Sequence, residues 1–433
     1  MEQYPKFSVI IPQKNRAEYI VHTLRTCMLQ DYPNFEVIVS DDCSEDASVA
    51  VAQRLAEQDN RIKVFAHDHH LGMRDNFEFA LNQVKEGYVM ALGGDDGLVP
   101  GCIWKMYNLI QETGRQLVTW RTTHFVYPEK PGGKTKFILS RKKQKSYKIL
   151  KSEDYLNKIA RTFHYLVDDC PMFYIKGVAS MELVNRVRSR TPDGCFYYCP
   201  TPDGFSGVVL AGEVEDYVYT LEPLSITGMT PKSQGHAYKK TDEKSKKEAQ
   251  EFFNDNIRRT MHKDLASQQY SPLVTLMTAD YLLTARDLPG WPGKFKMFKY
   301  EDLIKATFQM LVKNPFDNEV LVRELKILRE IAKHHDLLDL YNHLLKTTKR
   351  KLVRADVFDG LVITPNSVMY EGTNLGMENI FDAAVATPFA YHQYQKISLK
   401  AAFHVLKRMV RTFMNGFNYK VGYLPNINDN EEQ

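Results

Sequence analysis

Two adjacent carboxylates, Asp95 and Asp96, stand between glycines in the stretch ALGGDDGLVPG, residues 91–101. They follow an apolar run, Tyr88 to Leu92, that reads as a buried strand, so both acids should emerge at its exposed carboxyl end. Two readings compete. Asp and Gly are turn formers and Pro100 can open the next helix, which makes the stretch a tight turn. Alternatively, the carboxylates supply oxygen ligands to a divalent cation that carries a diphosphate with it. A second acidic pair, Asp41 and Asp42 in VSDDCSEDAS, also follows an apolar run. A carboxylate there can accept hydrogen bonds from a nucleobase imide or amide, or can cap the following helix. HDHHLGMRDN adds Arg74 as a candidate phosphate partner and Gly72 for close backbone approach. Its histidines, His67, His69 and His70, lack the i, i+4 spacing of a helical zinc pair. The six cysteines form no CxxC pair, and the pair Cys195 and Cys199 has no His or further Cys nearby, so inert reduced thiols are expected.

The elements that must position these groups alternate. Strand signals at KFSVIIP (6–12), FEVIVS (35–40), RIKVFAH (61–67) and YVMAL (88–92) are separated by helical spacing at 17–29, 46–58 and 77–85. Continuous apolar strands joined by helices predict an α/β fold with a parallel sheet covered on both faces. Ligands bind such sheets beyond the carboxyl ends of the strands, which singles out the loops Pro12–Arg16, Ser40–Asp46, His67–Asn76 and Gly93–Gly97. From about 115 to 229 the chain is mixed. QLVTWRTTHFVY (116–127) reads as one long strand, and CPMFYIKG (170–177), CFYYC (195–199) and YVYTLEPLSITG (217–228) as further strands. The Lys- and Gly-rich stretch 129–151 reads as an exposed loop or hairpin. Helical spacing then runs to about 347, and 348–433 is less legible.

Composition narrows the class. A chain of 433 residues allows two domains, or one with an appendage, and its 43% hydrophobic content argues against wholesale disorder. A net charge of +4 is too small for nucleic-acid binding to be its main business. The opening MEQYPKFSV carries no apolar signal region, and no apolar run of about 18 residues suggests a spanning helix. The expected location is cytoplasmic, with peripheral contact to the inner face of the membrane as an option.

The motifs FSVIIPQKNRAEYI, FEVIVSDDCSEDAS, HHLGMRDNFEFAL and GYVMALGGDDGLVPG, in this order, resemble the family-2 glycosyltransferases of the GT-A fold. The resemblance covers roughly residues 6–230. It implies a GT-A domain over 1–235, Rossmann-like with a mostly parallel sheet, followed by a mainly helical C-terminal domain of unknown role over 236–433. It also implies inverting transfer of a hexosyl or N-acetylhexosaminyl group from a nucleotide sugar, with a UDP donor expected. The acceptor would be a saccharide or lipid-linked glycan, as in polysaccharide biosynthesis. By the resemblance, Pro12, Asn15, Arg16, Asp41, Arg74 and Asp95 face the nucleotide sugar. The resemblance also implies that Asp95 and Asp96 form the DXD site, where Mn²⁺ or Mg²⁺ bridges to the diphosphate. Two departures stand out: Gly93 replaces an acid that relatives often carry, and Lys14 precedes Asn15 where an aromatic is common. The rival readings are a nucleotidyltransferase, which IPQKN does not favour for want of a glycine-rich phosphate loop, and a silent GT-A-fold binding subunit.

An inverting transfer needs a general base for the acceptor hydroxyl. TPDG occurs at 191–194, where it reads as a turn, and at 201–204 ahead of FSGVVLAG, where Thr201 would be N-cap and Pro202 the first helical residue. The resemblance places the catalytic acid here, which selects Asp203 ahead of Asp193, Asp168 and Asp169. The alternative is that Asp203 only complements the helix dipole. LEPLSITGMTPKSQGHA resembles the segment that closes the active site in this family, offering His236 as a further metal ligand and Lys232 and Ser233 to the diphosphate. Trp120, His124 and Tyr174 read as core residues with an option of lining the acceptor side. ISLKAAFHVLKRMVRTFM is a basic amphipathic segment that could rest on an anionic membrane, pack on the helical domain, or join a second subunit in a homo-oligomer.

Overall fold

The computed structural model describes residues 4–130, 132–140, 147–232, 238, 243–256, 259–314, 316–352, 360–364, 367–393 and 420–425. β1 (Phe7–Gln13), β2 (Phe35–Asp41), β3 (Ile62–Ala66) and β4 (Tyr88–Ala91) run parallel in the spatial order β3-β2-β1-β4. They are linked by α1 (Ala17–Met28), α2 (Ser48–Gln58) and α3 (Met73–Asn82). The apolar runs are continuous because both faces are covered. Val9, Ile11, Val37 and Val39 enter one buried cluster, while Ile10, Ile38, Val89 and Ala91 enter the other.

After β5 (Gly97–Leu98) and α4 (Cys102–Thr113) the chain does something the apolar pattern hides. The run 116–127, expected as one strand, is two: β6 (Leu117–Trp120) stays in the first sheet and β7 (Thr123–Val126) enters a second. Next come β8 (Lys136–Ser140), β9 (Lys148–Lys151), α5 (Ser152–Thr162), β10 (Gly177–Ser180), α6 (Met181–Arg188) and α7 (Asp203–Gly212). The run 217–228 is likewise split into β11 (Asp216–Thr220) and β12 (Ser225–Met229). The two bends occur together, since β6 pairs with β11 and β7 pairs with β12, both in parallel. Pro223 lies in the second bend and cannot donate to a ladder. The buried Trp120 indole donates to Ser225 Oγ at 2.7 Å and pins the crossing.

Two more expected strands are absent from their sites. Residues 170–176 are irregular apart from a bridge between Tyr174 and Ala91, because Pro171 has no N–H and Ile175 turns left-handed at φ +68°. Residues 195–199 hang from side chains instead, with Tyr197 N–H donating to Glu78 at 2.9 Å.

The first sheet finishes as β4-β10-β6-β11-β9. Beyond it the chain is mainly helical: α8 (Glu243–Asp255), α9 (Val274–Asp287), α10 (Tyr300–Lys313), α11 (Asn318–His334) and α12 (Leu338–Thr347). Its α9 packs on α7. After β13 (Lys349–Leu352), β14 (Leu361–Ile363) and β15 (Ser367–Glu371) extend the second sheet, in the order β14-β15-β8-β7-β12-β5. α13 (Ile380–Gln393) then packs on α1, and β16 (Lys420–Tyr423) pairs with β13. No described helix is long and apolar enough to cross a membrane.

Candidate active site

The chain leaves β1 toward β2 on one side and returns from β3 to β4 on the other, which makes the gap beyond the ends of β1 and β4 the switch point of the sheet. Open α/β sheets bind ligands at such a crevice. On its β2 side, the Asp41 carboxylate accepts from the Gln13 side-chain amide and from Ser44 N–H at 2.8 Å. Pro12 lies opposite Ser40 in the ladder. Asn15, left-handed at φ +54°, donates its N–H to Ser44 Oγ at 2.7 Å and accepts from Glu45 N–H at 2.9 Å. The Arg16 guanidinium donates to the carbonyls of Lys14 at 3.1 Å and Lys232 at 2.9 Å. This ties the first loop to the segment after β12.

Asp42 faces the third loop, accepting from Leu71 N–H at 2.6 Å and lying 2.9 Å from His70 Nδ1. His70 reaches Asp255 at 3.0 Å, and Lys14 pairs with Glu251 at 2.6 Å, so α8 straps across the outer wall of the crevice. Arg74, just past the third loop at the start of α3, is turned to other partners. Its guanidinium is held by Asp75 at 2.8 Å, by Asp193 and by the Tyr197 carbonyl.

Asp95 and Asp96 do follow β4, but not as exposed groups: they are 7% and 1% exposed. β12 of the second sheet covers them. Asp96 accepts from Gly93 N–H at 2.7 Å and Gly228 N–H at 2.9 Å, and Asp95 accepts from the Thr230 hydroxyl at 2.9 Å. The fit is so close that a Cβ at Gly228 would stand 1.8 Å from the Asp95 carbonyl oxygen. Gly228→Ala should therefore lower stability by about 3 kcal/mol, the upper end for overpacking, as read in a urea titration. A midpoint equal to that of the parent chain would contradict this packing.

Burial, and then the neighbouring Asp95 charge, push the Asp96 carboxyl up to about 8. Burial also raises Asp95, against the opposing pull of Arg16 and the Thr230 hydroxyl. Two adjacent buried carboxyls that would repel once both are charged suit a divalent cation, and their oxygens suit a hard one such as Mg²⁺ or Mn²⁺. The point a Cβ at Gly93 would occupy is 2.9 Å from Asp95 Oδ1, 2.8 Å from Asp96 Oδ2 and 2.6 Å from the Tyr174 hydroxyl. The residues present fit such an ion. Among the described residues no group of three His, Cys, Asp or Glu converges for metal. His236 and Ser233, offered as ligands of the cation and diphosphate, lie outside the described residues.

Asp203 opens α7 one residue later than its sequence suggests, with Pro202 as N-cap. Thr201 does not cap, because its hydroxyl is engaged by Tyr270 at 3.0 Å and by Tyr281. Asp203 Oδ2 accepts from the Tyr165 hydroxyl at 2.9 Å, while Oδ1 is buried without a partner. Burial raises its carboxyl above the ordinary value, opposed by the Gly204 N–H and then by the Tyr165 and Thr201 hydroxyls. The Tyr174 phenol is pushed well up by burial and then by the charges of Asp96, Asp95 and Asp203, so all three acids act on one side chain. The other acids weighed as base are paired: Asp193 with Arg74, Asp168 with Arg121 at 3.4 Å, and Asp169 with Lys158 at 2.7 Å. Tyr165 carries no sequence signal of this role, Tyr174 reads only as core or acceptor-side lining, and Gly228 and Thr230 only as part of the closing segment 221–237, since each reaches the acids through a tertiary crossing.

Residues 8–175 match the family model described as Glycosyl transferase family 2. Over 100 residues the chain is 36% identical to GalNAc(5)-diNAcBac-PP-undecaprenol beta-1,3-glucosyltransferase of Campylobacter jejuni, covering 23% of this chain and 32% of that protein. Over 92 residues it is 34% identical to the putative teichuronic acid biosynthesis glycosyltransferase TuaG of Bacillus subtilis, covering 21% and 36%. The match thus spans about a third of the length of these curated relatives. Among solved structures, S. aureus TarS 1-349 in complex with UDP-GlcNAc aligns with a TM-score of 0.42 at 15% identity, covering 82% of this chain and 95% of that one.

Proposed function

We propose that this chain, a family 2 glycosyltransferase by the domain it carries at residues 8–175, transfers a sugar from a nucleotide-activated donor to an acceptor hydroxyl with inversion. The observation that carries the reading is the buried pair Asp95–Asp96 at the switch point, with Asp203 near enough for its charge to raise the same Tyr174 phenol. Asp95 and Asp96 would hold Mn²⁺ or Mg²⁺, which when bound offsets the charge that develops on the diphosphate leaving group. Asp41, with Gln13 beside it, faces the base, and Pro12, Asn15 and Arg16 line the nucleotide on the β1 side. The orphaned Oδ1 of Asp203 accepts the proton of the acceptor hydroxyl while Tyr165 holds the other carboxylate oxygen.

The donor we propose is a UDP sugar, a class named in the TarS complex, and the acceptor a saccharide or lipid-linked glycan, a class named for the C. jejuni relative. Arg74, fixed on Asp193, positions the turn at 191–194 in this reading rather than a phosphate. Its test is a melting panel of nucleotide sugars with and without Mn²⁺. A productive donor stabilises the folded state by about 2.7 kcal/mol at a hundred times its Kd. A panel in which no nucleotide sugar shifts the melting temperature in Mn²⁺ would overturn the proposal.

A further inference from the structure

We infer that Tyr174 is a positioning residue of the donor site: its hydroxyl occupies the space of the side chain that position 93 lacks and orients Asp96 toward the cation and diphosphate. The inference rests on the transferase reading and adds to it a donor-site role for a residue the sequence offered only as core or acceptor-side lining.

Position 93 has no side chain, and the phenol of Tyr174 stands where one would go. Any β-carbon there would stand within 2.6 Å of the Tyr174 hydroxyl, closer than real Cβ contacts come, and within 3 Å of one oxygen from each aspartate. The three oxygens therefore surround one small volume, and the phenol supplies one of them. Its hydroxyl and Asp96 Oδ2 flank the same point, 2.6 and 2.8 Å from it, and the phenol there favours the charged form of Asp96. Asp96 is then faced from three directions, by the phenol and by the N–H groups of Gly93 and Gly228 that donate to it. A carboxylate so constrained keeps one orientation before any ligand arrives, which is what a preorganised cation site requires.

The chain takes trouble to put the phenol there. Ile175 N–H donates to the Ala91 carbonyl at 2.8 Å and Ala91 N–H to the Phe173 carbonyl at 3.2 Å, so the segment lies along the end of β4 immediately before the acidic loop. Ser225 Oγ, at the start of β12, donates to the Ile175 carbonyl at 2.6 Å. These bonds hold Ile175 at φ +68°, a left-handed conformation that a β-branched residue adopts only when its surroundings impose it. Such strain beside the Asp95–Asp96 loop is the expected mark of a side chain whose placement matters more than local ease. The same segment reaches the general base, because Phe173 N–H donates to Ser206 Oγ at 3.1 Å, which in turn donates to the Asp203 carbonyl at 2.5 Å.

The test is a double-mutant cycle read by calorimetric binding of UDP and of GDP to the full chain, each in Mn²⁺ and in EDTA, with the nucleotide-free melting temperature alongside. For the diphosphate that binds the parent chain in Mn²⁺, Tyr174→Phe should raise Kd by about tenfold, the scale of one hydrogen bond to a charged group. Its affinity in EDTA and its melting temperature should stay near those of the parent. Gly93→Ala should weaken Mn²⁺-dependent binding further by displacing all three oxygens, and the double variant should bind within about twofold of Gly93→Ala alone, since both changes remove one arrangement. Parent-like binding by Tyr174→Phe, or additive losses in the double variant, would overturn the inference and leave the transferase reading intact. If the parent chain binds neither diphosphate in Mn²⁺, the transferase reading falls and takes the inference with it.

Discussion

Asp95→Ala should cut sugar transfer by about a thousandfold while leaving the fold intact. The loss follows from removing a ligand of the cation, an effect worth several kcal/mol of charge stabilisation, and about 4 kcal/mol corresponds to that factor. EDTA should abolish transfer by the parent chain, and Mn²⁺ or Mg²⁺ should restore it. The structure separates the two acids in a way their adjacency does not. Asp95→Ala gives up the pull of Arg16 and the Thr230 hydroxyl, whereas Asp96→Ala strands the buried N–H groups of Gly93 and Gly228. An unpartnered buried donor costs about 1–3 kcal/mol, so Asp96→Ala should lose stability as well as activity, and Asp95→Ala is the cleaner test of the chemistry. Full turnover in chelator, or by Asp95→Ala, would remove the cation from the mechanism.

The same pair fixes the sign of a pH effect. With its folded-state pKa raised from 3.8 to about 8, Asp96 favours the cation-free fold most below the ordinary carboxylate value. That contribution is lost as pH rises from about 4 toward 8. Melting temperature without metal should therefore fall across this window, and the stabilisation given by Mn²⁺ should grow across it. A flat profile in both conditions would contradict the burial that raises Asp96.

What could be read before folding was whatever lies next to its own strand. Asp41 follows FEVIVS and Asp95 follows YVMAL, and an apolar run that ends in glycine and aspartate already says which end of a strand faces the ligand. Parallel strands separated by helices then bring these ends to one edge. What lay beyond reach depends on crossings between distant segments. Arg121-Thr122 and Glu222-Pro223 divide two apolar runs between two sheets, yet only the proline marks a break, and only pairing of β6 with β11 and β7 with β12 shows that both bend together. Gly228 and Thr230 reach Asp95 and Asp96 because β12 passes over the acidic loop, a consequence of that bend. Thr201 looked like a helix cap because its tertiary competitors, Tyr270 and Tyr281, come from elsewhere in the chain. The strands at 361–371 join a sheet built from residues 97–229, and their own short sequence says nothing of that partner.

Asp203→Asn should lower transfer by roughly 10²–10⁴-fold, the usual contribution of a positioned base, with donor affinity nearly unchanged. The substituted amide keeps an oxygen for the Tyr165 hydroxyl but cannot take a proton at neutral pH. Because burial disfavours the charged carboxylate, the neutral amide should leave the melting temperature equal or slightly higher. Loss of rate without loss of stability is the opposite of what a helix-dipole role predicts, which is a fraction of a kcal/mol in stability and little change in rate. The pH profile gives an independent reading. A base must be ionised to act, and burial holds Asp203 above the ordinary 3.8, so kcat should rise with pH through a limb displaced to higher pH. Tyr165 donates to the ionised carboxylate and opposes that displacement, so Tyr165→Phe should move the limb higher still. Asp193→Asn, by contrast, should lose the Arg74 ion pair and keep an oxygen for the Cys195 N–H at 3.2 Å, a modest stability change with transfer nearly intact. Transfer rates and melting temperatures of these three variants decide the matter together. Near-parent transfer by Asp203→Asn would take Asp203 out of the reaction and return the question to Asp168 and Asp169, whose ion pairs with Arg121 and Lys158 would then have to open for either to serve.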